Sequence, residues 1–320
     1  MRGAIALSAV VLAAANACAA RGQGLGCFRL ADAPAPFYYT AFSPIEKGSK
    51  CTVAVLVVHG WGGGAKANGE VATVSKALSA AAGKDAAAPY VIGPMFPTRA
   101  GMTKRKAGYD GRAVWNDSWG KNLAKPGSPD DDWRGGGDAA GVKFSSFDAI
   151  DLVFGALGDR KLFPNLKRVV LAGYSAGGQF VGRYVAVGKG VVRDGVEVRY
   201  AAMAPSTELR LDSGVVWHYG TKGRPRYPAA VTEKQMLANL SSRRVWRACG
   251  TADVKKGALD VCAAAMAQGA NRYERFRNFE KYLKKYPKWA GQVSFRDIPG
   301  AGHDSRPAYS DGAFAEYVLK

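Results

Sequence analysis

The sequence predicts an α/β fold built on a mostly parallel, doubly wound sheet with helices on both faces and loop insertions over the site, on three observations. Strand-like runs alternate with helix-like runs along most of the 320 residues, the order expected of successive β–α–β units. Val53 to Val58 is a continuous apolar run, as in a strand buried on both faces. No internal repeat or long low-complexity segment interrupts this alternation.

Taken in order, the first strand, Val53 to Val58, is broken by Gly60 to Gly64, and Asn68 to Ala82 has helical composition. Tyr90 to Phe96 reads as the next strand. The Gly-, Asp- and Trp-rich stretch from Pro97 to Val142 lacks periodicity and is expected to be a long functional loop. Phe147, Ile150, Val153, Phe154 and Leu157 recur at helical spacing. Val169 to Ala172 is a short strand, with a helix expected just after Ser175 and continuing through Gly178 to Val187. Val196 to Met203 is another strand. Pro205 to Ser241 is polar and rich in turn residues, an excursion over the sheet. A strand at Val245 to Cys249, a helical stretch from Leu259 to Leu283, a strand at Val293 to Ile298 and a helix near Phe314 complete the pattern.

Composition narrows the class. Hydrophobic residues at 48% and charged residues at 22% are those of a globular chain able to bury a full core. Arg2 followed by the apolar run Ala4 to Ala15 and the small-residue sites Ala15-Asn16-Ala17 and Ala17-Cys18-Ala19 has the form of a secretory signal peptide. Residues 1–20 are therefore expected to be a signal peptide, residues 21–320 one domain, and the protein extracellular. A first-residue lipid anchor at Cys18 fits poorly, since Ala15 stands where such a signal carries Leu. The net charge of +19 allows weak association with anionic surfaces. The cations are scattered, Lys104-Arg105-Lys106 being the densest run, and no nucleic-acid-binding signature accompanies them, so nucleic acid is not an expected partner. Cys27, Cys51, Cys249 and Cys262 would remain after cleavage. An even count in a secreted chain permits two bridges, and proximity favours Cys27–Cys51 and Cys249–Cys262. No metal-ligand spacing appears, so neither metal nor cofactor is expected.

Chemistry concentrates at four places. Gly173-Tyr174-Ser175-Ala176-Gly177 is a G-x-S-x-G sequence. Alone it is a weak signal, but here a buried strand precedes it and a helix follows, as the strained turn that exposes a nucleophilic serine requires. His303, in Gly300-Ala301-Gly302-His303-Asp304 just after the last strand, is the expected general base. His218, between Trp217 and Tyr219 in the excursion, is the other histidine after Ser175, and reads as a packing residue. Asp253, after Gly250-Thr251-Ala252, is the expected acid, because Ser175, Asp253 and His303 then follow the chain order of this chemistry. Asp212 is the competing acid. Asp260 is expected on a solvent-facing helix and Asp297 within the last strand. Finally, His59-Gly60-Trp61-Gly62-Gly63-Gly64 follows the first strand. There the backbone N–H of Trp61 or Gly62 is expected to join that of Ala176 as an oxyanion hole. This run matches neither nucleotide-binding glycine pattern.

Together these segments resemble the α/β-hydrolase superfamily across nearly the whole mature chain. More narrowly, Ser145-Ser146-Phe147-Asp148, Phe163 to Arg168, Ala172 to Phe180 and Ala267-Gln268-Gly269-Ala270-Asn271-Arg272 are similar to a group of secreted bacterial and fungal α/β hydrolases. The resemblance implies the fold and serine chemistry and leaves the substrate open. Tyr174 departs from the His common in that group, and Cys249 is additional. Trp115, Trp119, Trp133, Trp217 and Tyr219 in the two irregular segments either line an acyl pocket or pack beneath the loops. The expected function is a serine hydrolase of carboxylic esters acting on a small-molecule or polymer ester. A peptidase of the same fold and a non-catalytic binding protein that kept the fold are the alternatives.

Overall fold

The structure, a computed structural model, describes residues 24–61, 64–83, 87–99, 101, 111–116, 132–257 and 259–320. The expected signal peptide, Lys104-Arg105-Lys106, Trp119 and Gly62 lie outside the described residues. Eight strands form one sheet: β1 (Gly26–Arg29), β2 (Tyr38–Ala41), β3 (Val53–Val58), β4 (Tyr90–Pro94), β5 (Arg168–Tyr174), β6 (Glu197–Met203), β7 (Val245–Gly250) and β8 (Val293–Ile298). Their spatial order is β1-β2-β4-β3-β5-β6-β7-β8. From β4 across to β8 every pairing is parallel, whereas β1–β2 and β2–β4 are antiparallel. The antiparallel margin is absent from the sequence expectation. Strands of four residues are too short to show a clear alternation.

Among the described residues the helices are α1 (Gly64–Ala82), α2 (Ser146–Leu157), α3 (Ala176–Val187), α4 (Arg226–Ala229), α5 (Glu233–Leu240), α6 (Ala263–Met266), α7 (Arg272–Leu283), α8 (Pro287–Ala290), α9 (Ser305–Tyr309) and α10 (Gly312–Leu319). Ser145 starts α2 with a reciprocal cap: its hydroxyl accepts from the N–H of Phe147, and its own N–H donates to Asp148. The helical stretch expected from Leu259 to Leu283 is split into α6 and α7. Gly269 (φ 148°) takes a backbone conformation that side-chain-bearing residues avoid. Asn271 then caps α7 by accepting from the N–H of Glu274.

Two cores sandwich the sheet because strand side chains alternate. Ala54, Leu56 and Val58 of β3 pack with Val169 and Leu171 of β5 and with Phe147, Phe154, Phe180 and Tyr184 from α2 and α3. Val53, Val55 and Val57 face the other way, with Val170, Ala172, Val71, Val74, Leu78, Phe314 and Val318 from α1 and α10. This is the doubly wound architecture expected from the apolar runs. It also puts the carboxyl ends of β3, β5, β7 and β8 along one edge.

Neither expected disulfide forms. Cys51, Cys249 and Cys262 are free thiols. Cys51 is buried in the first core and Cys249 in the second. The thiol of Cys262 instead reaches the Tyr219 hydroxyl at 3.2 Å. Proximity in sequence placed Cys249 and Cys262 together, but strand direction sends the first into the core. Among the described residues, no helix is long and apolar enough to cross a membrane.

Candidate active site

Ser175 sits between β5 and α3 with φ 59° and ψ −116°, a conformation costing about 1–3 kcal/mol for a side-chain-bearing residue. Its neighbours make the turn feasible. A Cβ on Gly173 would lie 2.4 Å from the Gly177 backbone, one on Gly177 would lie 2.0 Å from the Val58 carbonyl oxygen, and one on Gly178 would lie 2.3 Å from that of Met203. The flanking glycines therefore let β3, β6 and the elbow approach at backbone distance. The Ser175 N–H donates to the Met203 carbonyl at 2.9 Å, tying the turn to β6.

His303 projects from the turn after β8. Its Nδ1 lies 2.7 Å from Asp253 Oδ2, and its Nε2 lies 2.9 Å from Ser175 Oγ. An ionised carboxylate only accepts, so Nδ1–H donates to Asp253 and Nε2 is left to accept from the serine hydroxyl. Asp253 follows β7 and is 1% exposed, while His303 is exposed. The Tyr174 ring lies beneath the imidazole, centroids 5.1 Å apart.

Sequence reasoning missed Arg272. This first residue of α7 is buried, and its guanidinium lies 3.7 Å from Asp253 Oδ1. That oxygen accepts no hydrogen bond from any described residue, so Arg272 is the cation compensating its buried charge. Burial pulls the Arg272 pKa below its ordinary value, and the Asp253 charge opposes that fall. The visible signal was Arg272 at the end of a segment singled out for resemblance alone.

The loop after β3 is braced by two residues also not foreseen. His59 is buried; its Nδ1–H donates to the Gly60 carbonyl at 2.8 Å, and its Nε2 accepts from the Phe96 N–H at 3.0 Å. Glu70, on α1, accepts from the Gly60 N–H at 3.3 Å. Trp61 follows, 42% exposed. Across the elbow, Ala176 opens α3, so its N–H belongs to the helix-start donors that have no partner within the helix.

The competing residues are used elsewhere. His218 is 2% exposed, and its carbonyl accepts from the Arg183 guanidinium at 2.7 and 3.0 Å. Burial, then the Arg183 charge, push its pKa well below the ordinary value. Asp212 lies against the Tyr282 hydroxyl at 3.4 Å. Asp260 corrects the expectation of a solvent-facing residue. It is buried and accepts from the Tyr219 hydroxyl at 2.6 Å, because the expected helix is replaced at that point by an irregular segment whose Asp260 carbonyl accepts from Arg275 and whose Asp260 N–H donates to the Ser206 hydroxyl. Asp297 lies within β8 as expected.

The described aromatic residues of the irregular segments are packed beneath the loops. Trp115, Trp133 and Trp217 are each at most 1% exposed. Phe96 stacks on Trp133 with centroids 5.5 Å apart, and the Trp217 Nε1–H donates to the Gly135 carbonyl at 2.8 Å. Tyr219 is buried as well.

No family model and no curated protein sequence matches the chain. Solved structures do. A poly(aspartic acid) hydrolase from Sphingomonas sp. KT-1 aligns with a TM-score of 0.64 at 20% identity, over 94% of this chain and 100% of that one. A poly(3-hydroxybutyrate) depolymerase from Bordetella parapertussis aligns with a TM-score of 0.60 at 18% identity, over 95% and 96% of the two chains. An S-formylglutathione hydrolase from Agrobacterium tumefaciens aligns with a TM-score of 0.50 at 14% identity, over 93% and 94%. With the strand order above, these likenesses show that the chain has the α/β-hydrolase fold.

Proposed function

We propose that the protein is a secreted serine hydrolase of carboxylic esters, with residues 21–320 as its single working domain. One observation carries the reading. Ser175 Oγ, the His303 imidazole and the Asp253 carboxylate are connected by hydrogen bonds of 2.9 and 2.7 Å at the carboxyl ends of β5, β8 and β7. Fold alone would not support an activity.

In this reading His303 Nε2 takes the Ser175 proton as Oγ attacks the ester carbonyl carbon. The backbone N–H of Ala176 and that of Trp61 or Gly62 receive the developing oxyanion. Each such donor contributes about 3 kcal/mol in comparable enzymes. His303 then protonates the departing alkoxide, leaving an acyl group on Ser175. A water deprotonated by the same imidazole releases the acid. The Asp253 carboxylate holds the Nδ1–H tautomer, and Arg272 acts as a positioning residue that holds this buried group.

The neighbours' names include a polymer hydrolase and a polymer depolymerase. The exposed His303 at the sheet edge supports a substrate reached from the surface, such as a segment of a polyester or a small ester. Secretion rests on the composition of residues 1–20. A fluorophosphonate probe followed by peptide mapping tests the nucleophile, and the expected adduct is on Ser175. A panel of p-nitrophenyl esters of rising chain length tests the reaction. Absence of both labelling and turnover would favour a binding protein that kept the fold.

A further inference from the structure

Among the described residues, exposed cations stand on both edges of the sheet. At the carboxyl edge, beside Ser175, Arg306 pairs with Asp304 at 2.6 Å, and the exposed Lys255 and Lys256 follow Asp253. The lysines of the amino edge are more numerous. Lys50 precedes β3, Lys161 and Lys167 precede β5, and Lys284, Lys285 and Lys288 precede β8. All six are exposed, and none forms an ion pair with a described residue. The carboxylates among them are fewer: Asp159, Asp194 and Glu197. Glu197 accepts from Arg168 and Arg199, and Asp159 caps the Lys161 N–H.

These turns form one continuous strip. The Lys167 N–H donates to the Thr52 carbonyl, that of Glu197 to Lys167, that of Tyr200 to Arg244, and that of Val245 to Gln292. The starts of β3, β5, β6, β7 and β8 are thus joined side by side. At strand spacing the strip is roughly 20 Å long. It lies one strand length from Ser175, again roughly 20 Å, because β5 runs from Arg168 on this edge to Tyr174 at the elbow.

We propose that this amino edge is a docking surface for a linear polycarboxylate, an acidic polysaccharide of the polyuronate type, which tethers the protein while leaving the Ser175 edge free. Its unpaired exposed charge comes from these six lysines, hydrated point charges, and from Arg160, whereas Arg193 and Arg243 bond backbone carbonyls and Arg244 pairs with Glu197, so few planar Arg forks that suit phosphate are left. Exposed large apolar side chains on this edge are Phe42 and Val191, too few for insertion into a lipid surface. The aromatic rings next to the lysines, Tyr286 and Trp289, are half-buried and buried, so they offer no platform on which bases stack.

Affinity electrophoresis in gels containing polygalacturonate tests this. The wild-type protein is expected to be retarded at low salt and released at high salt. Charge reversal at Lys161, Lys167, Lys285 and Lys288 to Glu should weaken retention at least about tenfold, with an unchanged thermal melt. A Lys255→Glu/Lys256→Glu control should stay within about twofold. Ser175→Ala should bind as wild type, which separates this surface from the proposed activity. If the quadruple variant melts early, Lys161→Gln/Lys285→Gln serves instead, with an expected loss of about threefold. Absent retardation, equal loss in the Lys255/Lys256 control, retention by a folded edge variant, or equally tight binding to anionic vesicles or duplex DNA would each overturn the proposal.

Discussion

The turn after β8 and the excursion between β6 and α5 each carry a histidine, and each histidine is held by a partner of opposite character. In the turn, His303 is exposed and stands between a carboxylate and a hydroxyl. In the excursion, His218 is buried, and the Arg183 guanidinium binds its carbonyl from α3. A carboxylate on Nδ1 stabilises the imidazolium that forms when Nε2 takes a proton. Burial beside a cation disfavours that same imidazolium. Identical side chains therefore stand in opposite electrostatic surroundings. The excursion contributes packing, through Trp217 and Tyr219, while the turn presents His303 beside Ser175.

Substitutions that separate the two regions sharpen the contrast. Ser175→Ala should lower ester turnover by about six orders of magnitude with unchanged circular dichroism, while His218→Gln should leave the turnover of folded protein close to wild type. Comparable losses in both would erase the distinction.

A smaller but still large effect is expected at the acid. Asp253→Asn favours the wrong His303 tautomer and should cost about four orders in kcat. Asp212→Asn, beside Tyr282, should leave kcat nearly intact. The reverse ranking, read from steady-state kinetics, would move the acid into the excursion.

Arg272→Met is expected to reduce kcat by up to about a hundredfold through a displaced carboxylate, with KM little changed. Arg272→Lys should restore most of the rate, since the charge beside Asp253 Oδ1 returns. A Met variant that merely melts earlier at full kcat would make Arg272 a structural residue only.

The smallest effect is on stability. The His218 pKa lies well below its ordinary value of 6.5 in the folded chain, so below about pH 6.5 the unfolded chain binds the extra proton. Its contribution is fully present above that pH and is lost as pH falls toward the folded value. Denaturant titrations should show stability decreasing on acidification, with a shallower slope in His218→Gln. An equal slope in both proteins would remove His218 from the acid response.

Local pattern alone determined much of this protein. The run Val53 to Val58, the elbow Gly173 to Gly177 and the order Ser175, Asp253, His303 were legible because strand burial and a tight strand–helix turn restrict residue types over a few positions. Tertiary structure decided what depends on facing direction and distant partners. Arg272 meets Asp253 only because α7 starts beside the carboxyl end of β7. Cys249 and Cys262, thirteen positions apart, diverge because one is a strand residue aimed into the core and the other reaches Tyr219. Trp115, Trp133 and Trp217 resolved into packing for the same reason: composition marks an aromatic side chain as buried or binding, and only its neighbours choose. Lys50, Lys161, Lys167, Lys284, Lys285 and Lys288, scattered in the sequence, share one edge because parallel strands bring their starts to the same side.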